Sequence, residues 1–123
     1  MKIEAHRAKA ESIERSLAKC SAGDYETVIE GAMLAGTHWF NAVLHRAGLR
    51  DTENDAVHAE FVSVGERRRL SVVLPEVLHA LDQIERLRTT HVRGDMPDGE
   101  RAARFALERL AILRESAVQN DDC

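Results

Sequence analysis

A chain of 123 residues with a formal charge of −4 is long enough for one domain with a buried core, and too acidic for a non-specific coat on DNA. Fourteen of its seventeen basic residues are nevertheless Arg, which suits local phosphate recognition, so net charge does not exclude a nucleic-acid partner. Cys20 and Cys123, neither in a CxxC pair, are too few for a disulfide framework; with no signal-like or membrane-spanning apolar run, a cytoplasmic protein is expected.

Only five residues are aromatic and two are proline, while Ala, Leu, Glu and Arg dominate. This composition favours helices and predicts no strand. The first helix is expected from Ile3 to about Cys20, with Ile3, Ala10, Ile13 and Leu17 as its apolar stripe. The link Ser21 to Gly23 is short enough to force an antiparallel hairpin with the next helix, Asp24 to Gly48. That second helix is apolar around most of its circumference, through Val28, Ala32, Gly36, Trp39 and Val43 on one stripe and Ile29, Met33, Phe40 and Leu44 on the next. It belongs in the centre of a bundle. Asp24 is its expected N-cap and Gly48 its left-handed C-terminal cap. Gly31, Ala32, Ala35 and Gly36 give it a thin waist for close helix approach.

Beyond Gly48 the pattern predicts a short helix around Asn54 to Val64, closed by Gly65, and then a loop or a short extended piece through Arg67, Arg68 and Arg69 to Leu74, the loop being favoured because Pro75 follows directly. Pro75 suits the first turn of a helix reaching about Thr90, with Val77 or Leu78, Leu81, Ile84 and Leu87 inward. Asp98 is the expected cap of a last helix, Gly99 to Val118, whose inward residues are Ala102, Ala106, Leu110, Leu113 and Ala117. Residues 1–118 therefore read as one all-α, up-and-down bundle of four to five helices, and residues 119–123 as a frayed tail.

The order of these features resembles the HEPN domain family of prokaryotic helical bundles, found in toxin–antitoxin and nucleotidyltransferase-associated systems. The likeness is carried by AKAESIERSLAKCSAGDYETVIEGAMLAGTHWFNAVLHRAG, then HAEFVSVG, LPEVLHALDQIERLRTTH and GERAARFALERLAILRESA, and spans Ala8 to Ala117. It implies a homodimer with functional groups at the dimer cleft. Catalytic members carry an Arg, four to six residues, then a His, near the end of the helix that corresponds to the fourth one here; Arg86 and His91 match that spacing. The family commonly has a polar residue directly after that Arg, where this chain has Leu87, and Arg88 is the other counterpart to the family Arg.

The chemistry implied is metal-independent RNA cleavage. A histidine exchanges a proton with a ribose hydroxyl or the leaving oxygen near neutral pH, and an arginine fork steadies the charge that builds on phosphate. Arg86 and His91 would be the catalytic pair and Arg88 an auxiliary phosphate contact, with no cofactor and no metal. An antitoxin or a nucleotidyltransferase is the protein partner implied. The alternative is a catalytically inactive module that docks a nucleotidyltransferase or another protein. His38, Asn41 and His45 fall on one polar strip of the second helix, but histidines seven apart with no carboxylate near them in sequence make a poor metal site. Trp39 is expected in the core, and Glu76 with His79 is half of a di-iron pattern without its second half.

Overall fold

The computed structural model describes residues 1–56 and 62–119. Its helices are α1 (Ile3–Leu17), α2 (Tyr25–Arg46), α3 (Val64–Val73), α4 (Pro75–Leu87) and α5 (Gly99–Gln119), with a single π-helical turn, Arg88–Val92, continuing α4. No strand occurs among the described residues, and no helix there is long and apolar enough to cross a membrane. The protein is an all-α bundle.

The central place expected for the second helix is the one observed. α2 is flanked by α1 and α5 and crossed by α4, and it buries Val28, Ile29, Met33, Trp39, Phe40 and Leu44 among them. Its thin waist serves this core. A Cβ on Gly36 would stand 3.1 Å from a methyl of Leu113, and one on Gly31 would collide with Leu17, so α5 and α1 approach α2 where it has no side chain. Trp39 is fully buried, its indole N–H donating to Glu14 of α1 at 2.7 Å.

Both ends of α2 lie where expected, but only one is capped as expected. Gly48 has φ +71°, and around it the Leu49 N–H reaches the Leu44 carbonyl at 2.9 Å and the Gly48 N–H the His45 carbonyl at 3.2 Å. This is a Schellman termination, which needs a residue tolerant of the left-handed region. Asp24, by contrast, turns its carboxylate back onto the N–H and hydroxyl of Ser21, both at 2.9 Å, instead of capping α2. Asp98 precedes α5 in the left-handed region, at φ +64°, a conformation that Asp adopts more readily than most residues.

The stretch after Gly48 differs from the sequence expectation. Asn54 to Ala56 are not helical, Val57 and Phe61 of the expected third helix lie outside the described residues, and Val64 begins α3 instead of ending a helix. The expected Arg67–Leu74 loop is helical almost throughout. Ser63 and Glu66 form a capping box: the Ser63 hydroxyl accepts from the Glu66 N–H at 3.1 Å and the Glu66 carboxylate from the Ser63 N–H at 3.4 Å. Gly65, read as a stop, sits inside the first turn. Two bidentate pairs then fasten α3, Arg50 to Glu66 and Arg67 to Asp82 of α4. The tail beyond Gln119, with Cys123, lies outside the described residues.

Candidate functional site

The predicted catalytic residues lie where α4 runs out. In the π-helical turn the Arg93 N–H reaches five residues back to the Arg88 carbonyl, at 2.9 Å, a local widening that recurs at functional sites. The chain reverses at Gly94, where a Cβ would stand 2.7 Å from the Thr90 carbonyl oxygen, and the Met96 N–H closes on that same oxygen at 3.1 Å. The reversal opens a groove of about 580 Å³ against the start of α5. His91, Arg101, Arg104 and Phe105 line it, with Asp98 and Glu108 as counter-charges.

His91 Nδ1 lies 2.7 Å from the Thr90 hydroxyl oxygen, and that hydroxyl is 3.2 Å from the Arg86 carbonyl. With its single proton given to the carbonyl, the hydroxyl accepts from His91 Nδ1–H and leaves Nε2 with the lone pair. Arg86 is exposed and is not among the residues lining the groove. Arg88 has a different occupation from the phosphate contact expected of it. Its Nε meets Glu30 of α2 at 3.0 Å and its Nη1 meets Glu85 at 2.8 Å, with the side chain only 14% exposed. Burial alone would lower its pKa, but the two carboxylates outweigh it and raise it. Arg88 ties the π turn to α2, and Arg101 and Arg104 are the guanidinium groups beside His91.

At the other end of α2 a second constellation forms. His6 of α1 and His45 of α2 are buried, and both present Nε2 to one oxygen of Asp55, at 3.0 and 2.7 Å. The Schellman reversal at Gly48 brings the Arg50 carbonyl to His45 Nδ1 at 3.0 Å. Asn41, also buried, clamps the backbone of Ala56: its amide donates to the Ala56 carbonyl at 2.7 Å and its oxygen accepts the Ala56 N–H at 2.7 Å. Asp55 is thereby fixed over the helix. His38, one turn of the same strip away, places Nδ1 2.9 Å from His6 Nδ1, and the Met1 amino group lies 3.2 Å from the second Asp55 oxygen.

Partial burial would raise the Asp55 pKa, yet bonds from His6, His45 and the terminal amine outweigh it and hold the carboxyl at about 2. Burial lowers the pKa of His6 more than Asp55 raises it, and burial together with His6 lowers that of His38. The three ligand atoms of His6, His45 and Asp55 all lie within 4.8 Å of one another, so they form a group able to hold a metal ion. The objection to a metal at the His38–Asn41–His45 strip was the lack of a carboxylate, and the fold supplies one from the following loop.

No family model matches the chain, and neither a curated protein nor a solved structure matches it. Sequence reasoning found His38, Asn41 and His45 as a strip but missed His6 and Asp55. His6 had a signal: it stands three residues after Ile3 and four before Ala10, inside the buried stripe of α1. A polar residue in such a place needs a partner across the helix interface. Asp55 had none, because its role is set by the path of a loop.

Proposed function

We propose that the chain binds RNA in the groove at the end of α4, with His91 as its proton-transfer group and Arg101 and Arg104 as its phosphate contacts. The observation that carries this reading is the π-helical turn Arg88–Val92, which is followed by the Gly94 reversal and leaves His91 in one groove with two guanidinium groups of α5. His91 Nε2 would take the proton of a ribose 2′-hydroxyl as that oxygen attacks the adjacent phosphorus. The 5′ oxygen leaves with a proton from a second acid, and a second copy of the chain across a homodimer cleft would supply it. Phe105 lines the same groove with the Arg109 guanidinium over its ring, 5.0 Å from the centroid. The HEPN resemblance is the wider context of this reading, including its antitoxin partner.

One observation favours the inactive docking module instead: Arg88, a counterpart of the family arginine, is held by Glu30 and Glu85 and serves the fold. Incubating labelled mixed-sequence RNA with the protein in EDTA separates the two. Cleavage lost in His91→Ala while binding persists, and binding weakened in Arg101→Ala and Arg104→Ala, supports the nuclease. Absence of both binding and cleavage by the parent leaves the docking module, to be sought as a complex with a nucleotidyltransferase.

A further inference from the structure

We propose that His6, His45 and Asp55 form a binding site for one divalent transition-metal ion, held by two imidazole Nε2 atoms and one carboxylate oxygen. This site lies at the opposite end of α2 from the RNA groove and does not depend on that reading. The argument begins with His45, whose side chain is 1% exposed and whose two ring nitrogens both face acceptors: the Arg50 carbonyl at 3.0 Å and Asp55 Oδ1 at 2.7 Å. A carbonyl carries no proton, so Nδ1 must be the donor there. Between His45 Nε2 and the carboxylate oxygen a positive centre is then required: a second ring proton while the site is metal-free, or a metal ion that displaces that proton.

The surroundings fit. A ligating histidine ordinarily donates its other ring N–H to a backbone carbonyl or a similar acceptor, which fixes the tautomer and aims the lone pair, and the Arg50 carbonyl does this for His45. For His6 the corresponding partner is His38: with His6 Nε2 on the metal, His6 Nδ1–H donates to His38 Nδ1 across 2.9 Å. Zinc bonds to nitrogen and oxygen of about 2.0–2.2 Å put neighbouring ligand atoms roughly 3–3.5 Å apart in a tetrahedral shell. Asp55 Oδ1 stands 3.0 and 2.7 Å from the two Nε2 atoms and all three atoms lie within 4.8 Å of one another, so the ion would draw the two imidazoles and the carboxylate into one shell. Two imidazoles and a single carboxylate select zinc, iron(II) or cobalt(II) over calcium and magnesium, which prefer all-oxygen shells. Asn41 and the Gly48 termination hold the loop that delivers Asp55, so the site is built from three segments already fixed by other bonds.

The test is titration calorimetry of the full chain, stripped of metal with chelator, using Zn²⁺ alone, with cobalt(II) absorption as a second readout. One Zn²⁺ per chain is expected, with binding lost in Asp55→Asn and His45→Ala. His38→Ala should weaken binding by about 10- to 100-fold through the outer shell. His79→Ala, on the exposed face of α4, should bind as the parent does. Circular dichroism must show each variant folded; if His45→Ala is not, the near-isosteric Asp55→Asn decides alone. The proposal is overturned if the parent takes up no Zn²⁺ at large molar excess, or if folded Asp55→Asn binds as tightly as the parent. A histidine-selective ¹⁵N spectrum of a protein that takes no metal would then show two ring protons on His45, identifying a buried imidazolium–carboxylate pair.

Discussion

The two ends of α2 put the same side chain to opposite uses. At the C-terminal end, His6 and His45 are sealed in the core and every ring nitrogen has a partner: His38, the Arg50 carbonyl or Asp55. Near the N-terminal end, where Glu30 anchors Arg88, His91 has one partner among the described residues, Thr90, and lines an open groove beside two arginines. A histidine with both nitrogens committed and no solvent is part of the scaffold unless an ion joins it. One with a committed Nδ1 and a free Nε2 in a groove is available for chemistry. Removal should therefore cost stability at the first end and activity at the second.

The largest stability effect is expected at Asn41, which satisfies both backbone groups of the buried Ala56. Asn41→Ala should cost about 3 kcal/mol, the scale of leaving buried polar groups unpaired, and chemical denaturation measures it. Asp55→Ala comes next. It strands His6 and His45 rather than backbone, and about 1–3 kcal/mol is expected in metal-free protein. An unchanged midpoint in both variants would mean that this end of the helix is not the sealed structure described.

The contrast also explains what could be read in advance. The all-α class, the central position of α2 and its small-residue waist follow from period and size, which are local: Gly36 meets Leu113 because both sit on apolar faces of the expected phase. α3 has a signal that points two ways. Ser63-Val64-Gly65-Glu66 is a capping-box pattern, but Gly65 also reads as a terminator, and the helix that the box opens has one buried residue, Leu70, too few to show a period. The groove and the His6–His45–Asp55 group were out of reach for another reason. A π turn inserts an extra residue with no sequence signature of its own, and Asp55 reaches its histidines only because Gly48 reverses the chain and Asn41 pins Ala56.

A smaller effect, in pH, sharpens the comparison further. The folded pKa values of His6 and His38 lie below the ordinary 6.5, so as pH falls the unfolded chain takes up these protons before the folded one does. Their contribution is complete above 6.5 and is lost as pH falls toward the folded values. Asp55 acts in the same direction lower down, between its ordinary 3.8 and about 2. The melting temperature of metal-free protein should therefore drop as pH falls below about 6.5, and the drop should be shallower in His6→Phe where that variant folds. A curve equally steep in the variant would assign the loss to other groups.

The smallest stability change is expected where the largest functional change is proposed. His91→Ala, Arg101→Ala and Arg104→Ala remove groups on an open groove, and each should alter stability by no more than about 0.5 kcal/mol. Arg88→Gln, a few residues from His91, should cost more than any of them, about 1 kcal/mol, because it breaks two partly buried ion pairs that fasten the π turn to Glu30 and Glu85. In RNA binding the order reverses: each groove arginine removed should lower the slope of log affinity against log salt by about 0.7, the increment for one single-strand phosphate contact. Arg88→Gln should leave that slope alone. A slope that falls with Arg88 and not with Arg101 or Arg104 would move the phosphate site back to the residue that the sequence pattern alone had favoured.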